Sequence, residues 1–232
     1  MTFNEIFYKY QKSRWPEYFL KYAELKKTIN EISYAKQKQK PALNNKFFKD
    51  LDKQLSNVNK FYLFKEQELI KNFPFAVKYN DRDVLVKKGT DEPIRFRLNA
   101  YKVELGSFYC DLRDLKTFQQ LNFRAARKLM KKHKTFSGLK LADKKWLEIK
   151  QLGFNKSPNI DKLFKNTLVV YSYVFTKKNP DKAKKELEEY RVNLTRKQNG
   201  LSTKKPRNSQ ALDIWDQISK LDNSQNQDEE ED

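Results

Sequence analysis

Lys128, Lys131 and Lys132 stand at i, i+3 and i+4 in the run Lys128-Leu129-Met130-Lys131-Lys132-His133. On an α-helix this spacing stacks three ammonium groups on one face, about a turn apart, and each like-charged pair costs roughly 0.2–0.5 kcal/mol. A compact polyanion relieves that repulsion, so the chemistry on offer is anion binding. Arg124, Arg127 and Lys134 bring the total to six cations within eleven residues. A helix dipole favours cations in the last turn. That accounts for one or two of them.

The rest of the composition narrows the partner. The chain has 232 residues and a formal net charge of +19. Residues 201–232 hold four Lys/Arg and eight Asp/Glu, which leaves 45 basic and 22 acidic side chains, net +23, on residues 1–200. So basic a body seeks phosphate on a nucleic acid, a membrane surface or a small polyphosphorylated ligand, unless its lysines are only a solvated helical surface. Nucleic acid is disfavoured, because no binding motif is present and the 17 Phe and 12 Tyr fit a core at least as well as a stacking platform.

Catalysis finds little support, and the expectation is a chain that is not an enzyme. There is no G-x-x-x-x-G-K-[ST] phosphate loop. One histidine, His133, and one cysteine, Cys110, leave no set for a metal site or a Ser-His-Asp triad, so neither metal nor cofactor is expected. A single cysteine also suits a reducing compartment. No run of about 18 apolar residues could span a bilayer. The N-terminus lacks a secretory apolar stretch, and Glu5, Glu17 and Glu24 do not suit an acid-poor transit peptide. The expected location is the cytoplasm, including a membrane-bound assembly reached through a partner.

Helices must position the basic cluster. Five glycines and a helical apolar period point to an all-α bundle. A short helix is expected over about 3–12. Pro16 restarts a second, with Tyr18, Tyr22, Leu25, Ile29 and Ile32 on one stripe. A turn is expected at 37–45, around Pro41. A long helix over about 44–73 then carries Phe48, Leu51, Leu55, Val58, Tyr62 and Leu69, and packs as an antiparallel hairpin. Residues 75–103 contain turn chemistry and the β-like runs Val84-Leu85-Val86 and Ile94-Arg95-Phe96, compatible with a small β-hairpin insertion. The basic cluster closes a helix over about 105–134, buried through Leu115, Phe118, Ala125, Leu129 and Met130. Helices over about 141–150 and 159–176 follow, then an exposed, charged one over about 180–196. Residues 201–232 read as a disordered acidic tail, with Ala211–Leu221 a candidate partner-docking segment.

Three blocks, in order, resemble the SPX domain family. Phe3, Trp15-Pro16, Tyr22 and Leu25-Lys26-Lys27 are similar to its opening helical hairpin. Leu51-Asp52, Leu55, Val58-Asn59 and Phe61-Tyr62 are similar to its central helix. Leu112-Arg113-Asp114, Leu121-Asn122 and Arg127-Lys128-Leu129-Met130-Lys131-Lys132 are similar to its last conserved block. The resemblance implies an SPX-like helical bundle over 1–176, with two long core helices and the insertion at about 75–103. A charged helical extension over 177–200 and the tail over 201–232 complete the chain, as a stand-alone SPX protein.

The resemblance also implies function. SPX domains bind inositol polyphosphates and pyrophosphates and sense phosphate status. By position, Tyr22, Lys26 and Lys128 match the family's phosphate-binding cluster, and Lys131 and Lys132 its adjacent lysine surface. Lys27, Arg124, Arg127 and Lys134 are auxiliary candidates. Tyr22 and Lys26 lie at i, i+4 and project together, one a phenol donor and the other an ammonium. Core packing is the alternative for Tyr22, and a solvated face for Lys26. The chain departs from the family at Thr2 and Glu5, where lysines usually stand, at Asn4, and at Thr135, the usual place of the last cluster lysine. The expected function is a phosphate-status sensor that signals to an unidentified protein partner. The alternative is an accessory subunit whose SPX-like scaffold has weakened or lost its ligand.

Overall fold

A computed structural model describes residues 2–73, 92–137 and 141–198 of the chain. Its elements are α1 (Phe3–Ser13), a 3-10 turn (Pro16–Tyr18), α2 (Tyr22–Tyr34), α3 (Lys40–Lys71), α4 (Glu92–Ser137), α5 (Leu141–Gln151), the short α6 (Gly153–Lys156), α7 (Asn159–Phe175) and α8 (Pro180–Gln198). No strand occurs among the described residues. The chain is all-α, as its apolar period implies.

Prolines mark three of the helix starts. Pro41 and Pro93 are second in α3 and α4, and Pro180 is first in α8. The first-turn N–H groups have no intrahelical acceptor, so a missing one is no loss there. This physics corrects part of the expected hairpin. Ile94-Arg95-Phe96 lie in α4, whose helix opens at Glu92. A short apolar run does not separate strand from helix by period alone, and here the helical pattern of Tyr101, Leu105 and Leu112 extends back through it. The other half of the expected hairpin, Val84-Leu85-Val86 with Gly89, lies outside the described residues, as do residues 201–232 with the Ala211–Leu221 segment.

The described residues fall into two compact units. The first comprises 2–61, 117–137 and 141–156. Here α3 and α4 run antiparallel: Asn44 meets His133 and Phe61 meets Phe118, so one index rises as the other falls. Phe7, Phe19, Leu51, Leu55, Val58, Phe118, Leu121, Ala125 and Leu129 fill the core. Phe47 is fully buried where the expected seam had Phe48, which is half-buried. Pro16 starts only a 3-10 turn, after Trp15 in the left-handed region at φ 51°. The continuous helix expected there is broken because the next amides are bonded elsewhere. Leu20 N–H donates to Asn122 Oδ1 at 2.9 Å, and Lys21 N–H donates to Gln54 Oε1 at 2.8 Å.

The second unit comprises 62–73, 92–116 and 157–198. Its core joins Tyr101, Leu105 and Tyr109 to Tyr171, Ala183 and Leu187. Thus α8 is not wholly exposed: Ala183 and Leu187 are fully buried. Its carboxylates hold α4 and α7. Glu186 accepts from Lys102 Nζ at 2.8 Å and from the Tyr171 hydroxyl at 3.0 Å, and Glu188 pairs with Arg113 at 2.7 Å. Gly106 is required where it stands, because a Cβ there would lie 2.8 Å from the Tyr190 ring.

Candidate functional site

Three elements of the first unit meet at the basic cluster. Helix α1 begins with Thr2 and Glu5 in a reciprocal cap. The Glu5 N–H donates to Thr2 Oγ1 at 3.4 Å, and the Thr2 N–H donates to Glu5 Oε2 at 2.8 Å. Two orphan first-turn donors are satisfied this way. The cap fixes Phe3, the first residue of α1. The Phe3 ring then meets the Tyr22 ring edge-on at 5.8 Å, and the Lys128 ammonium lies 5.2 Å above it.

Helix α2 supplies Tyr22 and Lys26. Its start is set from outside, by the bonds of Leu20 to Asn122 and of Lys21 to Gln54. Tyr22 is buried against Phe3 and Phe7. Burial first, then the neighbouring Tyr8, pushes its phenol above the usual range, so it stays protonated and able to donate. Lys26 is half-buried one turn on. Lys27 is exposed, about 100° further round the helix.

Helix α4 supplies the rest. Lys128 and Lys132 are half-buried and Lys131 is exposed. Burial depresses the Lys128 ammonium, and Arg124, Lys131 and Arg127 depress it further. Burial also depresses Lys132, and the second cause is Lys26 on α2. The structure therefore brings Lys26 and Lys132 together across two helices, and gathers Arg124, Arg127 and Lys131 around Lys128. No carboxylate among the described residues pairs with Lys26, Lys128, Lys131 or Lys132. Lys134 is turned away and pairs with Asp143 on α5 at 3.0 Å. Thr135 donates its hydroxyl to the Lys131 carbonyl at 3.1 Å, so it closes the helix rather than adding charge.

His133 faces the opposite way. It is fully buried, stacked on Phe47 at 4.9 Å, with Nε2 2.7 Å from Asn44 Oδ1 and Nδ1 3.2 Å from Ser137 Oγ. The carbonyl-type oxygen of Asn44 can only accept, so Nε2 carries the proton and Nδ1 accepts from Ser137. Burial lowers this imidazole to about 4. It locks α4 against α3 beneath the lysine face. Among the described residues, no group of three or more His, Cys, Asp or Glu could hold a metal ion.

Phe3 and Asn122 stand in the blocks that carry the resemblance but were not assigned to the site, and Gln54 carried no signal. Asn122 also stands out as an amide amid Leu121, Phe123 and Ala125. Its Nδ2 donates to the Phe118 carbonyl at 2.8 Å, which leaves the oxygen for Leu20.

No protein-family model matches the chain. Glycerophosphocholine phosphodiesterase GDE1 of Candida albicans is 30% identical over 144 residues, covering 57% of this chain and 12% of that protein. The chain thus spans a small part of that relative. Among solved structures, the SPX domain of Chaetomium thermophilum glycerophosphodiester phosphodiesterase 1, in complex with inositol hexakisphosphate, is similar with a TM-score of 0.57 and 19% identity. That likeness covers 72% of this chain and 95% of that domain. It is a likeness of fold, to the SPX part of an enzyme. No helix among the described residues is long and apolar enough to cross a membrane. The chain carries the SPX fold that its three sequence blocks imply.

Proposed function

We propose that the chain binds an inositol polyphosphate or pyrophosphate at Tyr22, Lys26, Lys128, Lys131 and Lys132, and that a partner protein reads the occupancy as a signal of phosphate status. One observation carries this reading: Lys26 on α2 lies near enough to Lys132 on α4 to add to the depression that burial imposes on the Lys132 ammonium, and no carboxylate among the described residues pairs with either. Such a site is charged in advance. A ligand with phosphates around a ring can reach ammonium groups on both helices, and lysine, a flexible point charge, suits many phosphate directions. No bond is made or broken. Neutralisation favours whichever helix arrangement binds the ligand better, and the shift equals the difference in affinity. Calorimetry with inositol hexakisphosphate tests the proposal on wild type, Lys128→Ala and Lys132→Ala. Weaker binding by both variants supports it. Equal affinities for all three remove the site.

A second reading is favoured by the cap of α1. Thr2 and Glu5 are committed to each other where the family usually has lysines, and Glu5 keeps a negative charge near Phe3. On this reading the fold is a scaffold in a larger assembly, and its ligand site is weakened. A stoichiometric complex indifferent to inositol phosphates distinguishes it from the sensor.

A further inference from the structure

The second unit has a feature that the phosphate site does not use. Helix α7 buries Ile160, Leu163, Thr167 and Tyr171. Its opposite side leaves Val169 65% and Tyr173 53% exposed, at i and i+4. Lys162 and Lys165 are exposed on that same side, two turns and one turn before Val169. Lys177 and Lys178 are exposed in the turn that follows. From Lys162 to Pro180 the sequence holds no carboxylate.

The neighbouring acids are occupied. Asp161 pairs with Lys116 at 2.9 Å, Glu186 with Lys102 at 2.8 Å, and Glu188 with Arg113 at 2.7 Å. Asp181, exposed at the start of α8, is the acid nearest in sequence on the other side.

The turn after α7 is strained. Lys177 and Lys178 have φ of 53° and 63°, the left-handed region where glycine has no Cβ penalty. The turn is held by the Lys178 N–H donating to the Ser172 carbonyl at 2.8 Å and the Thr176 N–H donating to the same oxygen at 3.2 Å. Two lysines thus stand where the backbone favours glycine. The Lys178 ammonium lies 5.3 Å from the Tyr173 ring centroid, which ties the turn to the apolar strip.

We propose that this outer face of α7 and its turn docks directly on an anionic phospholipid surface. An aliphatic and an aromatic side chain between two lysine pairs match the headgroup boundary. Tyrosine is at home there, apolar groups enter the acyl edge, and ammonium groups meet lipid phosphates and carboxylates. Charge complementarity commits the face to an anionic rather than a neutral bilayer. The site lies in the second unit and uses none of the residues assigned to the inositol phosphate.

The test is co-sedimentation of the full chain with phosphatidylcholine vesicles, with and without phosphatidylserine and free of phosphoinositides. Wild type is expected to sediment only with the phosphatidylserine vesicles. Val169→Ser/Tyr173→Ser, both exposed positions, is expected to lose about tenfold in partitioning. Lys177→Gly/Lys178→Gly relieves the left-handed backbone, so it is expected to be at least as stable yet to bind vesicles several-fold more weakly. Lys128→Ala/Lys131→Ala/Lys132→Ala is expected to retain vesicle binding. Three outcomes would overturn the proposal: no binding by wild type, equal binding by wild type and both α7-face variants, or loss only in the triple lysine variant. A face that captured an acidic peptide and no vesicles would overturn it too.

Discussion

The Lys128 ammonium lies 5.2 Å from the centroid of the Phe3 ring, and the same ring packs edge-on against Tyr22. One apolar side chain from α1 therefore sits between the two candidate donors of α2 and α4. A cation over a ring face gains about 0.5–1 kcal/mol at a partly exposed site. Phe3→Leu keeps apolar volume but removes the ring. Its inositol hexakisphosphate affinity is expected to fall about twofold to fivefold, the range that energy implies. An unchanged affinity, measured by calorimetry, would show that the ring does not hold Lys128 in place.

Glu5 tests whether the cap of α1 weakens the site. Glutamine at the third helical position still completes a capping box, without the charge. Glu5→Gln is expected to leave thermal stability nearly unchanged and to tighten inositol hexakisphosphate binding about twofold to fivefold, because one repulsive charge is removed at partly screened range. An affinity unaffected by this change would clear Glu5 of any part in the site.

Asn122 joins α4 to the start of α2 through its bond from Leu20 N–H. Both residues are fully buried. Asn122→Ala leaves that amide without an acceptor, a loss of about 1–3 kcal/mol. Urea unfolding is expected to show a lower midpoint with the slope unchanged. A midpoint equal to wild type would mean that Leu20 finds another acceptor.

His133 makes stability depend on pH. Its folded imidazole is lowered to about 4, against 6.5 for the ordinary group. Between these values the unfolded chain takes up a proton that the folded chain refuses. Stability from this residue is therefore full above pH 6.5 and is lost as pH falls toward 4, by about 3 kcal/mol at most. Denaturation midpoints across this window are expected to fall more steeply for wild type than for His133→Gln. Parallel slopes would assign the acid sensitivity to other groups.

The helices were legible because their apolar residues recur at helical spacing. Tyr22, Leu25, Ile29 and Ile32 are all buried on α2, as are Leu51, Leu55 and Val58 on α3. The break between Pro16 and Tyr22 was not legible, since it depends on Asn122 and Gln54, distant in sequence. Nor was the start of α4 at Glu92, because Ile94-Arg95-Phe96 fit strand and helix equally. The lysine face was legible from i, i+3, i+4 spacing alone. Its neighbours were not. That Lys26 lies near Lys132, and Lys134 near Asp143 instead, is decided by how α2 and α5 meet α4, which no local pattern records.

Lys26 and Lys132 are proposed to form one site across two helices, rather than two parts of a diffuse basic surface. Lys27 is the natural control, with the same charge one residue on and about 100° around α2. The decisive measurement is the calorimetric affinity of Lys26→Ala against Lys27→Ala for inositol hexakisphosphate. Loss of a direct charge-assisted contact is expected to weaken Lys26→Ala about tenfold or more, with Lys27→Ala within about twofold of wild type. Equal losses from the two variants would contradict the account and leave only a general attraction of a basic surface for an anion.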